Sequence, residues 1–423
     1  MSIIDDLFLK TLNAMLGHLI KRGSLSLIDA TGRRHQHGDG DAPVVVMRIT
    51  DPSYYAQIAL NPELAFGEAY MEGALTFEEG SVRDFLRLAH GNAVNLRGRP
   101  MRRLAADAAR RLRRFQQANP IGKAREHVAH HYDLSNDFYR LFLDEDLNYS
   151  CAYFEHDGQT LEAAQIAKLR HIAAKLKIEP GMRVLDIGSG WGAMAFYLAE
   201  HLGAEVVGVT LSQEQKALAT LRARERGLEK NVEFRLSDYR EVDETFDRIV
   251  SVGMFEHVGV PHYAEFFEKI SDLLADDGVA LLHSIGHKGP PNVTGPWIRK
   301  YIFPGGYSPA LSETFAAIER SGLWACDVEI LRLHYADTLK EWERRFQAAR
   351  AKVATMFDER FCRMWEFYMS TSEFAFRVGG HMVFQIQLAH QRDAAPIRRD
   401  YMLEAEAVLQ AREPRDFPSS LQA

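Results

Sequence analysis

The sequence predicts an α/β protein, a largely parallel sheet with crossover helices, preceded by a small α+β domain. Three observations carry that prediction. From Glu162 to Ser284, apolar runs of strand length alternate with helical stretches. One of those runs, 183–187, ends in Gly188-Ser189-Gly190-Trp191-Gly192 just before a helical stretch, the kind of turn in which ligands touch backbone. From Gly23 to Asp51 the pattern is instead one of short strands parted by turns.

Composition bounds what such a chain can do. With 423 residues and 46% hydrophobic content it can bury a full core, and two or three units are expected. A net charge of -7 argues against general nucleic-acid binding. The three cysteines, Cys151, Cys326 and Cys362, have no paired spacing, so neither disulfides nor a metal site are expected and a reducing cytoplasm fits. No apolar run reaches about 18 residues and the first residues are acidic, so neither a membrane span nor an export signal is expected.

Residues 1–22 read as an amphipathic helix, with Ile3, Ile4, Leu7, Phe8, Leu12, Met15, Leu16, Leu19 and Ile20 on one stripe. Docking on the small domain is the plain explanation, and membrane contact the alternative. Strands are expected at Ser24–Ile28 and Val44–Ile49, then helices from Tyr54 to His90 with interruptions at Gly67, Gly73 and Gly80. Residues 97–125 carry ten lysines and arginines in a chain that is acidic overall. That run suits anionic lipid headgroups or nucleic acid; a solvated linker helix is the alternative. The organisation expected is therefore a domain over 1–95, a basic linker over 96–125 and an α/β domain over 126–410.

Tyrosines bunch without regular period around His131-Tyr132-Asp133 and Leu147–Phe154, as an aromatic packing cluster or a cage for a cation would require. In the sheet region, the spacing G-x-G-x-G differs from the dinucleotide fingerprint G-x-G-x-x-G. Asp186, just before the first glycine, would repel a diphosphate and welcome an amino-acid ammonium. An ordinary glycine turn is one reading of Gly188, Gly190 and Gly192; a seat for S-adenosylmethionine is the other. Thr210 and Gln215 follow the second strand where an acid commonly holds ribose hydroxyls, and Ser237-Asp238-Tyr239 suits an adenine edge. After the fourth strand, Glu256 and His257 are expected to face one crevice.

Together these segments resemble the cyclopropane fatty acid synthase family, S-adenosylmethionine-dependent methyltransferases that modify unsaturated acyl chains. The likeness rests on His131-Tyr132-Asp133, Tyr149–Phe154, Leu185–Gly192, Val209–Ser212, Phe255-Glu256-His257 and Phe303-Pro304-Gly305-Gly306, and more loosely on Phe66–Gly73. It implies a Rossmann-like class I methyltransferase sheet. Tyr132, Tyr149 and Ser150 would then embrace the methionine and sulfonium part, with Gly188 and Gly190 at the carboxypropyl region. Thr210 and Gln215 would take the ribose and Tyr239 the adenine side. The family's bicarbonate, a general base, would lie among positions matching Cys151, Glu256, His283, Ile285 and Tyr335. Taken alone, Cys151 also reads as a buried thiol and His283 as a core histidine.

The implied reaction is methylene transfer to the cis double bond of a phospholipid acyl chain by a homodimer at the inner face of the membrane. Methylation without ring closure shares the same cation and remains open. Small-molecule N-methylation, using Glu256 and His257 directly, is a rival of another class; a lipid-binding protein with a vestigial cofactor fold is the non-enzymatic one.

Overall fold

The computed structural model describes residues 2–92 and 134–413. By contacts the described chain divides into two units. One comprises 2–92, Val293–Pro304 and Trp342–Gly379, and the other 134–292, 305–341 and 380–413. The expected α/β domain over 126–410 thus contains two segments that group with the N-terminal residues.

The first unit is built on a four-stranded sheet of β1 (Ser24–Ile28), β2 (Arg34–Gly38), β3 (Val44–Ile49) and β4 (Leu75–Glu79), in the order β2-β1-β3-β4. β1 runs parallel to β3, and β2 and β4 pair antiparallel at the two edges. The α+β class is as expected, but two strands escape the sequence pattern. β2 reads Arg-His-Gln-His-Gly and has no apolar face, so no alternation betrays it. β4 lies in the stretch expected to be helical. Gly73, at φ +72°, turns the chain after the helix Pro62–Met71, and the next residues pair with β3. Gly67 interrupts nothing: it sits inside that helix, where a Cβ would come within 2.5 Å of the Trp297 ring. Close approach of the helix Pro296–Tyr301 is what requires glycine there.

The N-terminal helix runs Ile3–Leu19, closed by a capping box between Ser2 and Asp5. Its stripe divides in two. Leu12, Leu16 and Ile20 are buried, as docking predicts, together with Leu9, which the stripe did not include, whereas Ile3, Ile4 and Leu7 are 92%, 65% and 61% exposed.

The second unit carries the expected alternation. Its strands are β5 (Arg183–Ile187), β6 (Glu205–Thr210), β7 (Val232–Leu236), β8 (Phe246–Val252), β9 (Leu274–His287), β10 (Trp324–Leu331) and β11 (His381–Ala389). They form one sheet in the order β10-β11-β9-β8-β5-β6-β7. The five strands from β5 to β9 are parallel, and β11 pairs antiparallel with β9 and β10. Both faces are covered, which explains the continuous apolar runs. Leu185 and Ile187 enter a core with Phe266, Phe267 and Phe384; Val184 and Val250 enter the opposite one with Ile172 and Phe196. Each such fully buried side chain contributes about 1.5–3 kcal/mol. The sheet's strand order reverses beside β5, so the carboxyl ends of β5 and β8 flank a crevice, the usual ligand position in an open α/β sheet.

Candidate active site

A cavity opens over the carboxyl ends of β5, β6, β7 and β8. The turn after β5 forms its floor. Gly188 and Ser189 donate their N–H groups to Val209 O at 2.9 and 3.0 Å, which ties the turn to β6. Gly188, Gly190 and Gly192 all have positive φ, for different local reasons. A Cβ on Gly188 would meet the Met254 side chain at 2.8 Å, and one on Gly192 the Phe234 and Phe196 rings at 2.7 and 2.8 Å. A Cβ on Gly190 would meet nothing within 4 Å, because that position faces the cavity. Gly192 does not line the cavity; it is the N-cap of the helix Ala193–Leu202.

Asp186, the last residue but one of β5, lines the cavity. Burial pushes its carboxyl up to about 7 against the pull of Lys168, and Oδ2 is buried with no hydrogen-bond partner among the described residues. Such an acceptor awaits a donor. At the end of β6, Thr210 Oγ1 donates to Gln215 Oε1 at 2.9 Å, and Ser212 caps the helix Gln213–Glu225 by accepting from the Gln215 N–H. Beyond β7, Asp238 is clamped by Arg240 through Nε at 2.8 Å and Nη2 at 2.7 Å, and Tyr239 packs edge-on against Phe266. Tyr149 and Ser150 also line the cavity, with Tyr149 edge-on to Tyr139. Tyr132 lies outside the described residues.

The turn after β8 corrects one expectation. Glu256 and His257 lie on a short 3-10 helix, Phe255–His257, and only His257 lines the cavity. Glu256 is buried, and its Oε1 accepts the Ile285 N–H at 2.6 Å. Burial pushes this carboxyl up to about 7, and Oε2 has no partner among the described residues. His283 lies two residues before Ile285, on the same side of β9. Burial, with Lys168, Lys175 and His171 adding repulsion, holds its imidazole well below the ordinary range, so it is neutral. Cys151 is buried, and burial pushes its thiol well up, which excludes a thiolate at neutral pH. The Ala152 N–H donates to Thr338 Oγ1 at 3.0 Å, which fixes this segment to the helix bearing buried Tyr335. None of Cys151, Glu256, His283, Ile285 and Tyr335 lines the cavity.

The site thus combines a glycine turn, the Asp186 carboxyl with one oxygen unpartnered among the described residues, and the buried Glu256 and His283, which do not line the cavity. Residues 121–386 match the family described as mycolic acid cyclopropane synthetase. The chain belongs to this family. It is accordingly an S-adenosylmethionine-dependent methyltransferase with the Rossmann-like class I fold. A second family, described as a domain of unknown function, matches residues 24–97. The chain is 37% identical over 350 residues to the cyclopropane-fatty-acyl-phospholipid synthase of Escherichia coli (strain K12), covering 82% of this chain and 88% of that protein. It is 34% identical to the tuberculostearic acid methyltransferase UfaA1 of Mycobacterium tuberculosis, over 89% of this chain and 91% of the other. Among solved structures, the cyclopropane synthase MmaA2 of Mycobacterium tuberculosis superposes with a TM-score of 0.60 at 36% identity, covering 63% of this chain and 98% of that one.

Within this family fold the structure adds a residue that sequence reasoning missed. Lys168, in the helix Leu161–Leu176, is 2% exposed and lines the cavity. Its Nζ donates to Asn148 Oδ1 at 2.6 Å and to Ser150 Oγ at 3.1 Å, holding the segment that carries Tyr149. Burial pushes the ammonium down to about 8 against the attraction of Asp144, Cys151 and Asp186. One buried cation therefore acts on Asp186 from below and on Cys151 and His283 behind the cavity.

Proposed function

We propose that this chain adds a methylene group across the cis double bond of an unsaturated phospholipid acyl chain, closing a cyclopropane ring, with bicarbonate as the base. The observation that carries the reading is Glu256, a buried carboxyl with one oxygen bonded to Ile285 and the other without a partner among the described residues. With neutral His283 on the same β9 face as Ile285, it offers a dry polar site that suits a small oxyanion carrying its own O–H donor. When bound, bicarbonate would supply the oxygen base that takes the ring-closing proton. Cys151, Glu256, His283, Ile285 and Tyr335 would hold and orient it.

S-adenosylmethionine supplies an electrophilic methyl group, and the residues around it do the positioning. Asp186 would take the amino group, the open face at Gly190 would admit the methionine chain, Thr210 and Gln215 would take the ribose, and Tyr239 the adenine side. An alkene is a weak nucleophile, so much of the rate must come from alignment in a water-poor site. Its attack leaves a cation on the acyl chain, which the face of Tyr149 can stabilise. Loss of a proton from the new methyl group then closes the ring.

Binding should depend on pH through Asp186. The carboxylate is the form that accepts an ammonium, and without ligand it holds its proton up to about 7 because burial disfavours its charge. Affinity for S-adenosylhomocysteine should therefore rise with pH through 7, being about tenfold weaker at pH 6 than on the plateau. Calorimetry from pH 6 to 8 checks this. Equal affinities across that range, or the same slope in Asp186→Asn, would remove Asp186 from the binding site.

The exposed Ile3, Ile4 and Leu7 at the tip of the first helix supply an apolar point for contact with a membrane surface. The basic residues of 97–125, the other proposed anchor, lie outside the described residues. Methyl-labelled S-adenosylmethionine incubated with vesicles of unsaturated anionic phospholipid should place label in fatty acid released by hydrolysis. Ile3→Asp with Leu7→Asp should lower that incorporation severalfold. Label confined to the headgroup, or to added small amines, would instead support an N-methyltransferase. Methylation without ring closure stays as a second reading, because the relative named a tuberculostearic acid methyltransferase aligns over 89% of this chain.

A further inference from the structure

The surroundings of His283 fix more than its burial. Its Nδ1 lies 3.1 Å from Nε2 of Gln385, its direct partner across the β9–β11 pairing. Oε1 of the same amide accepts from Lys175 Nζ at 2.6 Å. A lysine ammonium has donors only, so the amide oxygen must face it and the amide NH2 must face the imidazole. His283 Nδ1 then accepts. The single proton of the neutral ring is left on Nε2.

The donor that sets the amide is itself anchored. Lys175 Nζ also donates to Glu329 Oε2, and His171 Nε2 meets the same oxygen at 2.7 Å. His171 Nδ1 reaches Glu406 Oε1 at 2.5 Å, and the ring is stacked on Tyr153 with centroids 4.2 Å apart. Burial opposes the charge on Glu329, but hydrogen bonds and charge from His171 and Lys175 hold its carboxyl well below the ordinary range. Two residues further along β11, on the same side, Gln387 Nε2 donates to the Lys175 carbonyl at 2.6 Å. The lysine is thereby held at both its head and its backbone.

We propose that Gln385, oriented by Lys175, is a positioning residue that locks His283 in the Nε2–H tautomer, so that this imidazole offers the acid–base site a donor and not a base. The inference rests on the reading of His283 as a member of that site. It assigns His283 to holding an oxygen by N–H while proton removal falls to another group. Neither Gln385 nor Lys175 belongs to the set matched from the family, and neither lines the cavity.

The test is nitrogen NMR of the full-length protein labelled at histidine, with the His283 signals assigned by their loss in His283→Gln. The wild type should show a protonated Nε2 and an unprotonated, hydrogen-bonded Nδ1. In Gln385→Glu a carboxylate beside Lys175 accepts where the amide donated, so the proton should move to Nδ1. Its kcat should fall by at least about 100-fold, since a wrong histidine tautomer can cost as much as about 10⁴-fold elsewhere. S-adenosylhomocysteine affinity should stay within about twofold. If that variant does not fold, the wild-type spectrum decides the tautomer, and Gln385→Met should populate both forms. A wild-type Nδ1–H, an unchanged tautomer in folded Gln385→Glu, or an inverted tautomer with unchanged kcat would each overturn the proposal. Wild-type turnover in His283→Gln would instead overturn the role of His283, leaving the tautomer assignment standing.

Discussion

Replacing Glu256 by alanine is expected to lower kcat by about 10²–10⁴-fold, the range associated with losing a positioned acid–base group, while S-adenosylhomocysteine affinity stays within about twofold. The separation follows from geometry, since Glu256 is held by Ile285 behind the cavity and does not line it. The substitution relieves a buried carboxyl of its desolvation and leaves the Ile285 N–H unpaired, a loss of about 1–3 kcal/mol. Glu256→Gln restores an acceptor for that N–H and serves as the folding control; its kcat should remain low. Stopped-flow or steady-state turnover beside calorimetry reads both quantities. Parallel losses in kcat and affinity would mean that Glu256 holds the cofactor.

Gly190→Val should abolish detectable cofactor binding, a loss of at least about 100-fold, in a protein that still folds. The position has φ +55°, so a branched side chain is strained there by about 1–2 kcal/mol. Its Cβ meets no protein atom within 4 Å, so the added atoms project into the cavity without displacing a neighbour. Gly188→Ala and Gly192→Ala are the contrast. Their new Cβ atoms strike Met254 or the Phe196 and Phe234 rings, so their main cost should appear in the melting temperature. Wild-type affinity for S-adenosylhomocysteine in folded Gly190→Val would remove this turn from the binding site.

The parallel sheet was legible because a strand buried on both faces reads as an apolar run, and at β5 and β8 a following glycine marks its end. The run Arg183–Ile187 and the turn after it needed nothing else. β2 was illegible for the opposite reason, as an edge strand of polar residues carries no period. β4 was hidden inside a helical pattern that only tertiary pairing with β3 overrides. At the site, side-chain direction was the missing quantity. Glu256 and His257 are neighbours in sequence, yet a single 3-10 turn sends one into the interior and the other to the cavity. Lys168 was missed because Gln165, Lys168, His171 and Lys175 form a polar stripe at helical spacing, which reads as the wet side of an ordinary helix. All four are buried. The partners Asn148, Ser150, Glu329, Gln385 and Glu406, contributed from other parts of the chain, make that stripe habitable.

The most direct measurement of the central claim is product analysis of phospholipid fatty acids from a host that makes this protein and lacks any such activity of its own. Methyl transfer to a monounsaturated chain followed by loss of one proton adds a net CH2. Mass spectrometry should therefore find a gain of about 14 mass units, and proton NMR of the same fatty acid should find its vinyl signals replaced by those of a cyclopropane ring. Glu256→Ala should give neither change. A gain of the same mass with olefinic protons retained would contradict ring closure, and unchanged acyl chains beside active, cofactor-binding protein would contradict the assignment of an acyl double bond as substrate.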